Sequence, residues 1–293
     1  MPAPIRVIMP TMHPYLAALS QRILVYDGGM GTMLQPLELT AEDYRGATGC
    51  PEILVQSRPD VIRGIHLAYL EAGADVVETN TFGGNRRKLA EWGFGDQVRS
   101  LNLAAAKLAR EAADHVRTAD RPRFVAGSMG PTGMLPSSDD PVLGAVTFEE
   151  LAVEFQEQAE ALVEGGCDLL LIETSQDILE VRAAIAGVRR AFAAIGRSLP
   201  LQVQVTLDPS GRMLLGTDIG AALATVGALP VDVFGLNCST GPEAMRGPVA
   251  LLSEQSKLPI SVLPNAGLPL NVDGRAVYPL EPEPMARMLA EYV

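Results

Sequence analysis

The chain has 293 residues, a formal charge of −12 and 47% hydrophobic residues. This size and composition suit one large domain with a substantial apolar core. No Lys/Arg-rich block interrupts the acidic background, which argues against nucleic acid or an anionic membrane as a partner. No apolar run approaches the length that a membrane-spanning helix needs. Three cysteines are too few for a secreted disulfide scaffold, so we expect a cytoplasmic protein.

Short apolar runs alternate with helical segments along most of the chain, which predicts an α/β fold with parallel strands. A right-handed series of such units closes into a (β/α)8 TIM-type barrel at eight strands, in about 250 residues. Only seven strands can be found, and we expect the eighth strand to be missing from this chain. We interpret residues 1–21 as an N-terminal extension and 22–293 as a barrel cut before its last strand. The predicted strands are 23–27, 76–77, 123–128, 169–172, 201–208, 233–237 and 259–265.

Polar side chains stand where these strands end, and in such barrels the active site forms at that edge. Strand-to-loop junctions are polar in any protein, because they cap helices and form turns. The whole set is harder to explain in that way, since nearly every strand ends in a carboxylate or an amide. It comprises Asp27, Glu78, Thr79, Asn80, Ser128, Glu173, Thr174, Asp208, Asn237, Cys238 and Asn265.

This composition favours a small zwitterion as ligand. Carboxylates bind its ammonium group, and the turn DGGMGT at 27–32 offers backbone N–H groups and the Thr32 hydroxyl to its carboxylate. No lysine stands at a strand end, which removes the nucleophile of a Schiff-base aldolase. No histidine does either, and no GxGxxG fingerprint follows a strand.

Cys238 ends an apolar run, and a cysteine in such a place is more often a structural thiol than a ligand. One cysteine cannot hold zinc, which takes three or four protein ligands. Cys167 opens its strand and therefore belongs to the opposite end of the barrel. Cys50 lies in the loop after the first strand, and its position in a loop is weak evidence that it reaches the site.

Several of these segments resemble a known family. From Arg22 to the C-terminus, and in the same order, the chain is similar to the homocysteine-binding barrel of cobalamin-dependent methionine synthases, within the homocysteine S-methyltransferase family. The segments are DGGMGTMLQ (27–35), AYLEAGADVVETNTFG (68–83), NLAAAKLAREAAD (102–114), VAGSMGPTG (125–133), ALVEGGCDLLLIET (161–174), FGLNCSTGPEAMR (234–246) and PNAGLP (264–269).

The resemblance implies a (β/α)8 barrel that transfers a methyl group to homocysteine. In the family, three cysteines hold zinc: one in a GLNC motif, here Cys238, and two in a GGCC motif. The GGCC motif is absent from this sequence and is expected beyond Val293. Zinc deprotonates the homocysteine thiol, which is otherwise mostly protonated at neutral pH. The thiolate then attacks the methyl group of methylcobalamin, which a different module binds.

The resemblance also implies roles for single residues. Glu173 matches the carboxylate that binds the substrate ammonium, and Asn265 is expected to reach the metal when substrate is absent. Ser128 and Asp208 have either supporting or structural roles. The remaining predicted substrate-binding residues are Asp27, Gly29, Thr32, Glu78, Asn80 and Asn237.

The family's barrel is followed by folate-binding and cobalamin-binding modules on the same polypeptide, and we expect these as partners. Two alternatives stay open. The first is a homocysteine methyltransferase with another donor, such as betaine, a sulfonium compound or a fused folate-reductase module. The second is a metal-free barrel that acts as a docking module.

Overall fold

The computed structural model describes residues 12–272 and 275–293. Six strands form one parallel sheet in chain order, and successive strands are joined by helices, which confirms the predicted α/β class. These strands are β1 (Val76–Glu78), β2 (Phe124–Met129), β3 (Leu169–Ser175), β4 (Leu201–Val205), β5 (Val233–Asn237) and β6 (Ile260–Leu263). Their carboxyl ends share one edge, as in a barrel, and the polar strand ends of the sequence lie there.

The first predicted strand, 23–27, is reduced to a single parallel bridge between Tyr26 and Val76. Asp75 N–H donates to the Val25 carbonyl over 2.7 Å, and Asp27 N–H donates to the Val76 carbonyl over 3.0 Å. The segment therefore occupies the expected place beside β1. Among the described residues it has no strand on its other side, which explains why the ladder is so short and why Val25 is 56% exposed.

The sheet curls but does not close. Within residues 12–272 and 275–293, β6 pairs only with β5, so an open seam separates β6 from the segment at 23–27. This confirms the prediction of a TIM-type barrel without an eighth strand.

The helices cover the outer face of the sheet, and polar caps define their ends. Thr147 and Glu150 form a capping box at the start of α7, and Gly166 ends that helix with a φ of 98°, in the left-handed region that glycine favours. The helices are α1 (Pro14–Leu19), α2 (Met30–Leu34), α3 (Leu54–Ser57), α4 (Pro59–Ala72), α5 (Arg86–Ala90), α6 (Val98–Val116), α7 (Phe148–Gly165), α8 (Ile178–Ile195), α9 (Ile219–Val226), α10 (Pro242–Gln255) and α11 (Pro282–Ala290), with a 3₁₀ turn at Pro51–Ile53. None of these described helices is long and apolar enough to cross a membrane.

Helix α1 covers the floor of the barrel, at the amino ends of the strands. Tyr15 is 1% exposed, packs edge-on against Phe124, and donates its hydroxyl hydrogen to Gln202 Oε1 over 2.9 Å. Part of the predicted N-terminal extension, from residue 12 on, is thus packed against the barrel. Residues 1–11 of that extension lie outside the described residues.

A two-stranded antiparallel hairpin between β6 and α11 was not predicted. Its strands are β7 (Leu270–Val272) and β8 (Arg275–Val277), and Leu270 pairs with Val277. The sequence carries a signal for it, since Asp-Gly separates two short alternating segments. The side chains of β7 are exposed, so this strand adds little to the core.

Gly235 allows β5 and β6 to approach each other. A Cβ at this position would lie 1.7 Å from the backbone oxygen of Ser261. No flexible side chain can yield there, because the obstructing atom belongs to the paired strand. The position therefore requires glycine.

We predict opposite effects for two glycine substitutions. Gly235→Ala pushes β5 away from β6 and should lower the free energy of unfolding by about 1–3 kcal/mol or more. Gly64→Ala is the control: Gly64 is exposed in α4 with no atom near its Cβ position, so alanine should stabilise by about 0.5–1 kcal/mol. Urea denaturation measures both, and a Gly235→Ala protein as stable as wild type would contradict the close approach.

Candidate active site

The structure brings together acidic and amide side chains from four strand ends along one edge of the sheet. Asp27 follows the bridge at Tyr26, Glu78 ends β1, and Glu173 lies in β3. Asn237 and Cys238 stand at the end of β5. The predicted convergence of these strand ends is therefore present in the fold.

Glu173 is buried and held at both carboxylate oxygens. Ser128 donates its hydroxyl hydrogen to Glu173 Oε1, and Asn237 Nδ2 donates to Glu173 Oε2 over 3.0 Å. Burial raises the pKa of Glu173 to about 7. Ser128, which the sequence left between a supporting and a structural role, thus contacts the central carboxylate directly.

Asp27 and Glu78 face the same region as Glu173. Burial raises the pKa of Asp27 well above its ordinary value, and the negative charge of Glu173 raises it further. For Glu78, burial is again the largest cause, followed by the charges of Glu173 and Asp27. Asp27 Oδ2 accepts from the Glu78 backbone N–H over 3.0 Å, whereas its buried Oδ1 has no partner among the described residues. Three mutually repelling carboxyl groups favour a cation between them.

Cys238 is half-buried beside these groups. Thr174 donates its hydroxyl hydrogen to Cys238 Sγ over 3.7 Å, and Asn237 Nδ2 lies 3.4 Å from the same sulfur. Burial and the charge of Glu173 raise the pKa of the Cys238 thiol to about 11. The unassisted thiol is therefore protonated at neutral pH.

The backbone is strained where these side chains meet. Thr174, Cys238 and Ser239 have φ values of 55°, 58° and 61°, in the left-handed region that non-glycine residues rarely occupy. Among the described residues, Arg45 is the fourth and last such case. Strained residues persist only where surrounding contacts hold them, and they concentrate at functional sites.

The described residues do not by themselves form a metal centre. They contain no cluster of three or more His, Cys, Asp or Glu side chains placed to hold a metal ion. Cys167 is buried just before β3, at the opposite end, as predicted. Cys50 is also buried, and its thiol donates to Glu52 Oε2 over 3.5 Å. Cys238 is the one cysteine whose sulfur contacts Thr174 and Asn237 at these strand ends.

Four other predicted site residues have local contacts. Thr32 donates its hydroxyl hydrogen to the Gly29 carbonyl over 2.8 Å, and Gly29 precedes the first residue of α2. Asn80 Nδ2 donates to the Pro51 carbonyl over 2.8 Å, and Asn265 N–H donates to the Thr240 carbonyl over 3.1 Å. Their substrate contacts stay predictions.

Asp208 does not join the carboxylate group. It is exposed and organises its own turn, since Asp208 Oδ1 accepts from Ser210 N–H and Ser210 Oγ. Thr174, which the sequence placed among the strand-end residues without a role, contacts Asn237, and so does Thr206, which was not predicted. Thr174 directly follows Glu173, yet no sequence pattern indicates a threonine with positive φ.

Comparisons with known proteins identify the family of the chain. A family model described as homocysteine S-methyltransferase matches residues 24–293. A methionine synthase from Mycobacterium leprae is 46% identical over 98% of this chain, and one from Mycobacterium tuberculosis is 46% identical over 95% of it. The chain spans about a quarter of these relatives, 24% and 23% of their lengths.

Solved structures share the fold. The oxidised form of the homocysteine methyltransferase MmuM from Escherichia coli has a TM-score of 0.70 and 25% identity, covering 87% of this chain and 86% of that one. The metallated form of MmuM also has a TM-score of 0.70, at 24% identity and 86% coverage of both chains, and supports the fold alone.

The raised carboxyl pKa values predict a pH dependence of stability. At pH values between the ordinary glutamate pKa of 4.5 and about 7, the folded state retains a proton on Glu173 that the unfolded chain has released. The free energy of unfolding should therefore fall as pH rises through this window, by up to about 1.4 kcal/mol per pH unit for each such proton.

Glu173→Gln cannot titrate and should make this slope shallower. Glu254→Gln, at an exposed position in α10, is the control and should leave the slope unchanged. Urea denaturation at pH 5, 6, 7 and 8 measures the slopes. Equal slopes for wild type and Glu173→Gln would show that the pKa of Glu173 is not raised by folding.

Proposed function

Because the chain belongs to the homocysteine S-methyltransferase family, we propose that it is the homocysteine-binding barrel of a cobalamin-dependent methionine synthase. Family membership confirms the predicted methyltransferase class. The high identity to the two mycobacterial methionine synthases over nearly the whole chain favours this member of the family. The length of those relatives supports additional folate-binding and cobalamin-binding modules on the same polypeptide.

The observation that carries the proposal is the pairing of a carboxylate cluster with one thiol at a single barrel end. Homocysteine carries an ammonium group and a thiol at the two ends of a short chain. Glu173, with Asp27 and Glu78 nearby, supplies negative charge for the ammonium group. An ammonium group among these carboxyl groups would favour their ionised forms and relieve their repulsion.

Zinc is part of the proposal, and this chain contributes one ligand, Cys238. The described residues cannot hold zinc alone, so we place the two other cysteine ligands in sequence that follows Val293 in the gene product. When bound, zinc supplies a coordination position at which a thiol loses its proton. Asn265 is proposed to approach this position. The hydrogen bond from Asn265 N–H to Thr240, two residues after Cys238, supports its placement on the same loop system.

The residues of this chain bind and orient the substrate in this proposal. Glu173 binds the ammonium group, while the Gly29–Thr32 turn donates backbone N–H groups to the substrate carboxylate. Burial of the carboxyl groups keeps water from the ammonium contact and strengthens it. We propose methylcobalamin, held by another module, as methyl donor. All three cysteines are free, which fits the proposed cytoplasmic location.

A homocysteine methyltransferase with a different donor is the second candidate. The similarity to MmuM favours this candidate, because the match covers 86% of the MmuM chain and so leaves no room there for further modules. The carboxylate cluster and Cys238 serve both candidates equally, since they face homocysteine rather than the donor. The two candidates are distinguished by measuring which methyl donor the purified gene product consumes.

The proposal predicts separable effects of two substitutions in the full-length gene product. Glu173→Gln should weaken homocysteine binding about 10- to 100-fold, the loss expected for a hydrogen bond to a charged group, with zinc content unchanged. Cys238→Ala should abolish zinc binding. Calorimetric titration measures homocysteine affinity, and atomic absorption measures zinc per chain.

Asp208→Asn is the matched control, since it removes a strand-end carboxylate that lies outside the cluster, and its homocysteine affinity should equal that of wild type. Undiminished affinity in Glu173→Gln would remove this carboxylate from the site. Zinc retained by Cys238→Ala, or absent from wild type, would contradict the proposed metal ligand and favour a metal-free docking module.

A further inference from the structure

The side-chain amide of Asn237 lies between the two groups to which the proposed function assigns substrate binding and metal binding. Asn237 Nδ2 donates to Glu173 Oε2 over 3.0 Å and lies 3.4 Å from Cys238 Sγ. A third acceptor, Thr174 Oγ1, is 2.8 Å from the same nitrogen. One nitrogen atom thus contacts both the carboxylate and the sulfur.

The orientation of this amide is fixed by its oxygen. Asn237 Oδ1 accepts the Thr174 backbone N–H over 2.8 Å. The Thr206 hydroxyl donates to the Asn237 backbone carbonyl over 2.8 Å and lies 3.3 Å from Oδ1. A backbone N–H can only donate, so the atom facing it must be the oxygen, and the nitrogen must face Glu173 and Cys238. Asn237 is 2% exposed, which leaves it no room to rotate into solvent.

These contacts join strand ends that are not neighbours in the sheet. Asn237 ends β5 and contacts Glu173 and Thr174 of β3, while Thr206 directly follows β4, the strand between them. Thr174 and Cys238, which the amide contacts on either side, both have positive φ. The amide therefore holds two strained backbone positions at a set separation.

We propose that Asn237 is a positioning residue that sets the spacing between the ammonium-binding carboxylate and the sulfur ligand, and thereby selects homocysteine over the shorter cysteine. This inference rests on the proposed function. Two anchors at a fixed spacing accept only a ligand whose ammonium and thiol groups are separated by the matching number of bonds. Cysteine lacks one methylene, a difference that protein sites discriminate about 10- to 200-fold.

Without the Asn237 amide, Glu173 and Cys238 can each shift independently to meet a shorter ligand. The homocysteine affinity then falls because pre-organisation is lost. The cysteine affinity falls less, because the wild-type spacing never suited cysteine. The ratio of the two affinities is consequently the quantity that reports spacing, whereas loss of overall stability would change both affinities together.

The test is calorimetric titration of homocysteine and of cysteine into the zinc-loaded full-length gene product. Asn237→Ala should reduce the ratio of homocysteine to cysteine affinity about tenfold, with zinc per chain unchanged. Asn237→Asp retains an oxygen for the Thr174 N–H but no donor for Glu173 or Cys238, and should reduce the ratio similarly. It serves as the second variant if Asn237→Ala fails to fold by circular dichroism.

Asn85→Ala is the matched control. Asn85 is also a fully buried asparagine, but its Oδ1 caps α5 by accepting from Lys88 N–H over 3.0 Å. Its substitution should lower thermal stability and leave the affinity ratio at the wild-type value. This comparison separates spacing from the general cost of removing a buried amide.

Each result bears on a different claim. A wild-type protein that binds neither thiol would contradict the proposed function, and the inference with it. A wild-type protein that prefers homocysteine, with Asn237 variants that weaken both ligands in proportion, would overturn the spacing role alone. Loss of zinc in the Asn237 variants would also overturn it, because the residue would then serve metal retention.

Discussion

The burial of like-charged carboxyl groups at one end of an open barrel is the constraint around which the site is arranged. Burial raises the pKa of Asp27, Glu78 and Glu173, and the charge of Glu173 raises the pKa of Asp27 and of Glu78 further. The three carboxyl groups lie close together because the parallel strands all end at the same edge of the sheet. Such an arrangement lowers stability near neutral pH, and a bound cation can return that stability.

The same constraint explains the hydrogen bonds around Glu173. A buried carboxylate requires donors, and Ser128 and Asn237 provide one to each oxygen. The Asn237 side chain in turn requires an acceptor for its nitrogen and a donor for its oxygen, and Thr174 supplies both. Thr206 donates to the Asn237 backbone carbonyl. The result is a connected set of contacts from β2 to β5, in which the thiol of Cys238 shares a partner with the carboxylate.

The parallel α/β series and the edge that carries the site could be predicted from sequence, because buried strands are continuous apolar runs and polar residues end them. The family resemblance added the assignment of Glu173 and Cys238. The strand at 23–27 was overestimated: its apolar run is typical of a strand, but ladder length depends on neighbours that local sequence does not reveal. Asp208 was also misplaced, because local sequence does not distinguish a strand-end carboxylate that faces a site from one that organises a turn.

The strand predictions missed the hairpin at β7 and β8, and they placed Thr174 at a strand end without a role. The side chains of β7 are exposed, whereas the strand predictions relied on buried apolar runs, so the Asp-Gly pair was the sequence signal for the hairpin. Thr174 owes its place to a φ of 55°, which its residue type does not favour and which tertiary contacts with Asn237 impose. Side-chain networks of this kind depend on distances between strands far apart in sequence.

A crystal structure of the full-length gene product with bound homocysteine would test the central claim most directly. The account predicts the substrate ammonium within hydrogen-bonding distance of Glu173, the substrate sulfur next to Cys238, and Asn237 still in contact with both protein groups. Homocysteine bound elsewhere, or bound here with its carboxylate rather than its ammonium group facing Glu173, would contradict it.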